Sequence, residues 1–235
     1  MRKGLFGDRP IHEGTDGIIQ LEVPLRPDNA AAVPVTVKTA LPQAATRYVK
    51  TLFLVVDNNP DPLAGTFHLT PEGGLADLGT NIRIQTHSNV RAIAEMTSGE
   101  LYMSSKPVKA SGGCAAVPMQ KEATASANLG QMLIRVQNDS VRNQPNWAQL
   151  IITHPNRTGL QNDPLKGYPL HAHFIKKLTI RYGDSAILTA ETGISISEDP
   201  TFRFYYLPRV PGALKVEIED SRGLIFMKSV EIMPK

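Results

Sequence analysis

Short apolar runs, each closed by a cluster of Gly, Pro, Asn or Asp, recur along this chain, and a helical period is almost absent. Runs such as VKTLFLVV (residues 49–56) and SAILTAET (residues 185–192) are rich in the residues that suit a pleated surface, and are too short for stable helices. This rhythm predicts strands over residues 17–23, 33–39, 49–56, 65–70, 78–86, 90–97 and 101–109. NNPDP (58–62), PEGG (71–74) and TSGE (97–100) are the turns between them. A second set is predicted over residues 131–137, 147–154, 173–183, 185–192, 201–207, 213–220 and 223–232. About seven strands in each half is the number an immunoglobulin-like sandwich requires.

Between the two sets the pattern stops. Residues 110–130, ASGGCAAVPMQKEATASANLG, are small and polar with no steady apolar period, which is linker composition. The expected fold is therefore all-β: two immunoglobulin-like β-sandwich domains, 1–109 and 131–235, joined by a flexible cysteine-bearing linker over 110–130. At 235 residues each half is long enough to bury its own core.

The formal net charge of +3 comes from basic residues scattered singly, which argues against nucleic acid as a partner. No apolar run is long enough to cross a bilayer as a helix, so membrane insertion is not expected. The start, MRKGLFGDRP, is basic but lacks the apolar core of a signal peptide, as expected of either a cytoplasmic protein or a mature one whose signal has been removed.

The chain has one cysteine, Cys114, in SGGCAAVPMQ. It cannot form an internal disulfide, leaving either a buried inert thiol or a reactive one. Gly112 and Gly113 give backbone freedom before it, and Ala115 and Ala116 follow with side chains too small to anchor. The expectation is a presented thiol, standing roughly 15 Å off the sandwich at about 3.3 Å per residue. Lys106, Lys109 and Lys121 would favour its thiolate if they lie close in space. The alternative is a plain linker with an incidental cysteine.

Two sets of motifs resemble a known family. YVKTLFLVVDNNPDPLAGTFHLTP and TNIRIQTHSNVRAIAEMTSGELYMSSKPVKASGGC resemble the Y subunit of the SoxYZ sulfur carrier of bacterial thiosulfate oxidation, over residues 6–114. ITHPNRTGL, PLHAHFIKKLTIRYG and TAETGISISEDPTFRFYY resemble the Z subunit, from residue 131 onward. The order resembles the fused SoxYZ-like carriers associated with quinoprotein (PQQ-dependent) dehydrogenases. The resemblance implies two sandwiches packed on each other in the periplasm, and a carrier that is not an enzyme. Its partners would be sulfur-oxidising enzymes or a quinoprotein dehydrogenase system. Cys114 matches the family cysteine that holds a thiosulfate-derived sulfur intermediate covalently, and Gly112 and Gly113 match the glycines before it; no other cofactor is implied. This sequence departs in placing Ala115 and Ala116 where the family has glycines and in carrying the cysteine inside the chain, so the segment must enter a partner as a loop.

Other constellations are weaker. His171 and His173, two apart, would share one face of a strand and could hold a metal, but no third ligand follows at a telling spacing, so no metal is assigned. His154 is read as a turn or interface residue and Trp147 as core. Met103, Met119 and Met132 with Cys114 would suit copper(I), which keeps a copper-binding module as one alternative function. A non-covalent binding or assembly module serving a quinoprotein system, with Cys114 incidental, is the other.

Overall fold

A computed structural model describes residues 2–14, 17–41, 43–118, 127–164 and 166–235. Every expected strand is present. In the first half these are β2 (Ile19–Glu22), β3 (Val33–Thr39), β4 (Val49–Val56), β5 (Leu63–Leu69), β6 (Leu78–Ile82), β7 (Ser88–Met96) and β8 (Leu101–Val108). The second half has β9 (Met132–Val136), β10 (Asn146–Ile152), β11 (Ile175–Tyr182), β12 (Ser185–Thr192), β13 (Thr201–Tyr206), β14 (Gly212–Asp220) and β15 (Ile225–Ile232). Three elements were not expected: a short helix α1 (Arg2–Phe6), a single 3-10 turn over Gly113–Ala115, and β1 (Ile11–His12), which pairs parallel to β8.

The strand sequences show why these segments sit where they do. β3, VPVTVKT, turns its valines inward and its polar residues outward, as a strand with one covered face should. β4 is buried along nearly its whole length because both its faces are covered. One side joins the main core. On the other, Phe6 of α1 stacks edge-on against Phe53 with ring centroids 4.9 Å apart, beside Ile93, Leu101 and Met103.

The fold is all-β as expected, with the strands of the two halves joined into two common sheets. One sheet runs β1-β8-β7-β4-β5-β12-β11-β14-β15 and the other β2-β3-β6-β13-β10-β9. The halves meet where β5 pairs antiparallel with β12, Leu69 opposite Leu188, and where β6 pairs with β13, Thr80 opposite Phe202. Each pairing covers a strand edge that would otherwise be open. One apolar core crosses this junction, taking Leu52, Phe67 and Ile84 from the first half and Leu150, Phe202 and Val216 from the second. The rings of Phe67 and Phe202 lie 6.2 Å apart across the seam.

A shared core couples the two halves. Phe202→Ala, which empties a fully buried site at the seam, should cost about 3 to 5 kcal/mol. Urea unfolding followed by Trp147 fluorescence and by far-UV circular dichroism should shift as one coincident transition. Two separated transitions would show that the halves fold independently.

Candidate functional site

After β6 the chain leaves the sheet at Arg83, Ile84 and Gln85, and these residues receive the cysteine segment. Gly112 N–H donates to Gln85 O and Gly113 N–H to Ile84 O, each at 2.9 Å. Cys114 N–H then donates to the Gln85 side chain, Oε1, at 3.0 Å. Arg83 Nη1 donates to Gly113 O at 3.2 Å. Asn59, in the NNPDP turn, braces this strand end: its Nδ2 donates to Arg83 O at 2.7 Å and its Oδ1 accepts Gln85 N–H at 2.8 Å.

The second half supplies the other wall. Thr158 Oγ1 donates to Cys114 O at 2.6 Å while accepting Leu160 N–H at 3.1 Å. Gln161 Oε1 accepts Thr158 N–H, and its Nε2 donates to Ala116 O, both at 3.0 Å. Thr158 and Gln161 belong to the HPNRTGLQ loop, so residues 112–116 bridge the two halves across their seam.

Cys114 is thus fully buried, 0% exposed, and not held out on a free arm. Gly112 and Ala115 on either side are exposed, so the chain dips into the junction at Gly113 and Cys114 and emerges again. The glycines serve geometry more than mobility. Gly112 has φ of 80°, the left-handed turn that glycine adopts freely. At Gly113 an added Cβ would lie 2.1 Å from Ala30 O, so only glycine fits there.

Burial pushes the Cys114 thiol up to about 11, with Arg83 opposing the shift and Asp61 adding to it. The seated sulfur is therefore a neutral thiol near pH 7. The cation that reaches it is Arg83, not the lysines expected from sequence. Lys106 and Lys109 are exposed, and Lys121 lies outside the described residues.

The HPNRTGLQ loop is itself braced from behind. His173 Nε2 donates to Asp220 Oδ2 at 2.7 Å, and Asp220 Oδ1 accepts the N–H groups of Arg222 and Leu224 at 2.8 and 2.9 Å. Burial alone would raise the Asp220 carboxyl, but these bonds bring it below its ordinary value. His154 stands edge-on to His173, ring centroids 4.6 Å apart, and its Nδ1 accepts Asn156 N–H at 3.1 Å. That bond places the ring proton on Nε2, which lies 3.7 Å from Asp220 Oδ2 with no hydrogen-bond partner among the described residues. A protonated nitrogen offers no lone pair to a cation, so this arrangement of His154, His173 and Asp220 is a hydrogen-bonded brace. His171, the expected companion of His173, is exposed: neither residue lies within a strand, and the two-residue alternation does not apply.

The remaining sequence candidates fall elsewhere. Met103 packs with Phe6 and Phe53, Met132 lies against the main core, and Met119 is outside the described residues. Trp147 is half-buried on the outer side of β10, with the Arg203 guanidinium 5.2 Å above its ring, and is not a core residue. Arg83, Gln85, Thr158 and Gln161 had no signal of their own in the sequence. They sit in ordinary strand or turn patterns, and only the chain's path joins them.

With this geometry in place, comparison with known proteins is decisive for family. Residues 2–114 match the family model of sulfur oxidation protein SoxY, and residues 134–231 match that of sulphur oxidation protein SoxZ. The chain is a SoxY domain followed by a SoxZ domain. The SoxY match ends at Cys114 itself. None of the curated proteins matches the chain. Among solved structures, the sulfur carrier protein SoxY from Chlorobium limicola f thiosulfatophilum is 28% identical, with 46% of this chain and 87% of that one covered and a TM-score of 0.39. A superoxide reductase (neelaredoxin) from Ignicoccus hospitalis is 15% identical over 42% of this chain and 94% of that one, with a TM-score of 0.37. The fibronectin(III)-like modules of Clostridium thermocellum CbhA are 10% identical over 93% and 94% of the two chains, with a TM-score of 0.28.

Two outcomes follow. Alkylation of Cys114 by iodoacetamide should be slow in the folded protein, and Gly113→Ala should speed it at least about tenfold by unseating the segment while the circular dichroism spectrum is retained. An unchanged rate would mean that the seat does not protect the thiol. Burial, with His173 adding to it, also lowers His154 from 6.5 to about 4. The unfolded chain therefore takes up the extra proton first, and stability should fall as pH drops from about 6.5 towards 4, by up to roughly 3 kcal/mol. Urea midpoints measured across that range should show the slope in the wild type and lose most of it in His154→Gln.

Proposed function

We propose that this SoxY–SoxZ tandem protein is a carrier that takes a thiosulfate-derived sulfur group covalently on Cys114 and delivers it to sulfur-oxidising enzymes in the periplasm. The observation that carries this reading is a purpose-fitted seat around the chain's one thiol. A linker with a stray cysteine would need neither a glycine at 113 without room for a Cβ nor donors from both halves aimed at Gly113, Cys114 and Ala116.

The seat is built for exchange. It grips residues 112–116 through main-chain atoms, with no bulky side chain as anchor. Each such hydrogen bond nets about 1 kcal/mol, and fixing one residue's backbone costs about as much. The seated state is therefore favoured by only a few kcal/mol at most, enough to protect the thiol and little enough to let it go. Seated, the thiol is neutral and shielded; released, it regains an ordinary thiol's reactivity and can meet a partner. Ser111, Gly112, Ala115 and Val117 are already exposed, so lifting the segment uncovers little beyond Gly113 and Cys114. Because the segment continues at both ends, it would enter a partner as a loop, and an open groove suits it better than a narrow channel.

A quinoprotein dehydrogenase system as the setting rests on the resemblance of the fused arrangement alone. The copper(I) alternative loses support because Met103 is packed in a separate apolar cluster.

The test is loading in vitro. Folded protein treated with tetrathionate should gain one thiosulfate-derived group by intact mass, mapped to the Cys114 peptide and removed by reductant. Cys114→Ser should gain none while keeping the wild-type thermal midpoint within a few degrees. Equal gain in the variant would end the proposal.

A further inference from the structure

Arg83 is the largest fully buried side chain among the described residues, at 1% exposed. Removing a guanidinium from water is costly unless its charge is met and its donors are used. Here the donors are poorly used. Nη1 and Nη2 reach the main-chain carbonyls of Gly113 and Asn156 at 3.2 and 3.4 Å, and Nε has no hydrogen-bond partner among the described residues. Burial lowers its proton affinity, while the buried carboxylate of Glu198 and a negative charge at Cys114 act the other way. The seat thus contains a cation that feels the Glu198 carboxylate only electrostatically among its resolved contacts, with long bonds to two carbonyls and one unpaired donor, its Nη1 bonded to the residue just before the carrier thiol.

We infer that Arg83 is the counter-ion for an anionic group carried on Cys114, so that the seated carrier retains cargo ending in a sulfonate over neutral cargo on the same sulfur. This rests on the carrier reading above. A sulfonate oxygen can take the unpartnered Nε–H and draw Nη2 from its long bond to Asn156 O, while Nη1 stays on Gly113 O. These are charge-assisted contacts, stronger than the carbonyl contact given up. Arg83 is then a specificity-determining residue, and its bond to Gly113 O links cargo retention to seating of the segment.

The test compares two adducts on the full chain. With tetrathionate, the Cys114 thiolate attacks an inner sulfur, the central S–S bond breaks, and thiosulfate leaves with the electron pair; the product is Cys–S–S–SO3⁻. With methyl methanethiosulfonate, the thiolate attacks the divalent sulfur, the S–S bond to the sulfonyl group breaks, and methanesulfinate leaves with the electron pair; the product is the neutral Cys–S–S–CH3. Release of each adduct by dithiothreitol is followed by intact mass and normalised to its release from the chain unfolded in urea.

In the wild type the sulfonate-bearing adduct should be protected at least about tenfold more than the methyl one, the factor expected from one charge-assisted hydrogen bond. Arg83→Gln should equalise them, and Arg83→Lys should keep part of the difference. Should Arg83→Gln fail to fold, the thermal midpoints of the two loaded wild-type forms decide: the sulfonate-loaded form must be the higher. Equal protection in the wild type, or a ratio untouched by Arg83→Gln, overturns the role of Arg83 and leaves the carrier reading standing. If neither reagent modifies Cys114 in the folded wild type, the carrier reading falls and the inference falls with it.

Discussion

The antiparallel pairing of β5 with β12 and of β6 with β13 is the constraint on which the rest depends. It joins the sheets of the two halves and sets the strand end at Arg83–Gln85 opposite the loop carrying Thr158 and Gln161. Both halves hold residues 112–116, because the donors to Cys114 O and Ala116 O come from the second half and the donor to Gly113 O from the first. A single core through the seam gives the seat a fixed geometry.

Seating and chemistry pull the thiol in opposite directions. In the junction the sulfur is dry and neutral, which suppresses reaction with whatever meets the protein in solution. A thiol pushed up to about 11 is almost wholly protonated near pH 7 and so a poor nucleophile; on the carrier proposal, loading would take place in the released state. The sequence around the cysteine reconciles the two demands. Gly112 supplies the left-handed turn into the seat, Gly113 allows contact with Ala30 O, and the small Ala115 and Ala116 let the chain leave again. The buried His154–His173–Asp220 brace, contributed by the second half, keeps the opposite wall in position.

Much of the fold was legible because short runs of strand-forming residues are closed by turn clusters, with in-and-out alternation added in β3. β3, β4 and β12 match their expected limits, and PEGG does form the tight turn after β5. That Cys114 stands alone among small residues was visible in the sequence too. Its burial was not. Gly-Gly-Cys-Ala-Ala reads as a flexible arm, and only the three-dimensional path of the chain reveals that Gly113 has no room for a side chain. The joining of the sheets was equally hidden, since a strand pattern gives no hint of which edge it will pair with. The helix α1 went unseen because its five residues are too few to carry a period. His154, Asn156 and Thr158 lie in a loop motif that carried the family resemblance without disclosing what it touches.

The most direct measurement is the mass of the Cys114 peptide from protein isolated from its native host without reductant. The account predicts a sulfur-containing adduct on Cys114 that reductant removes. An unmodified thiol throughout, in cells actively oxidising reduced sulfur, would contradict it and leave residues 110–130 as a connection between two domains.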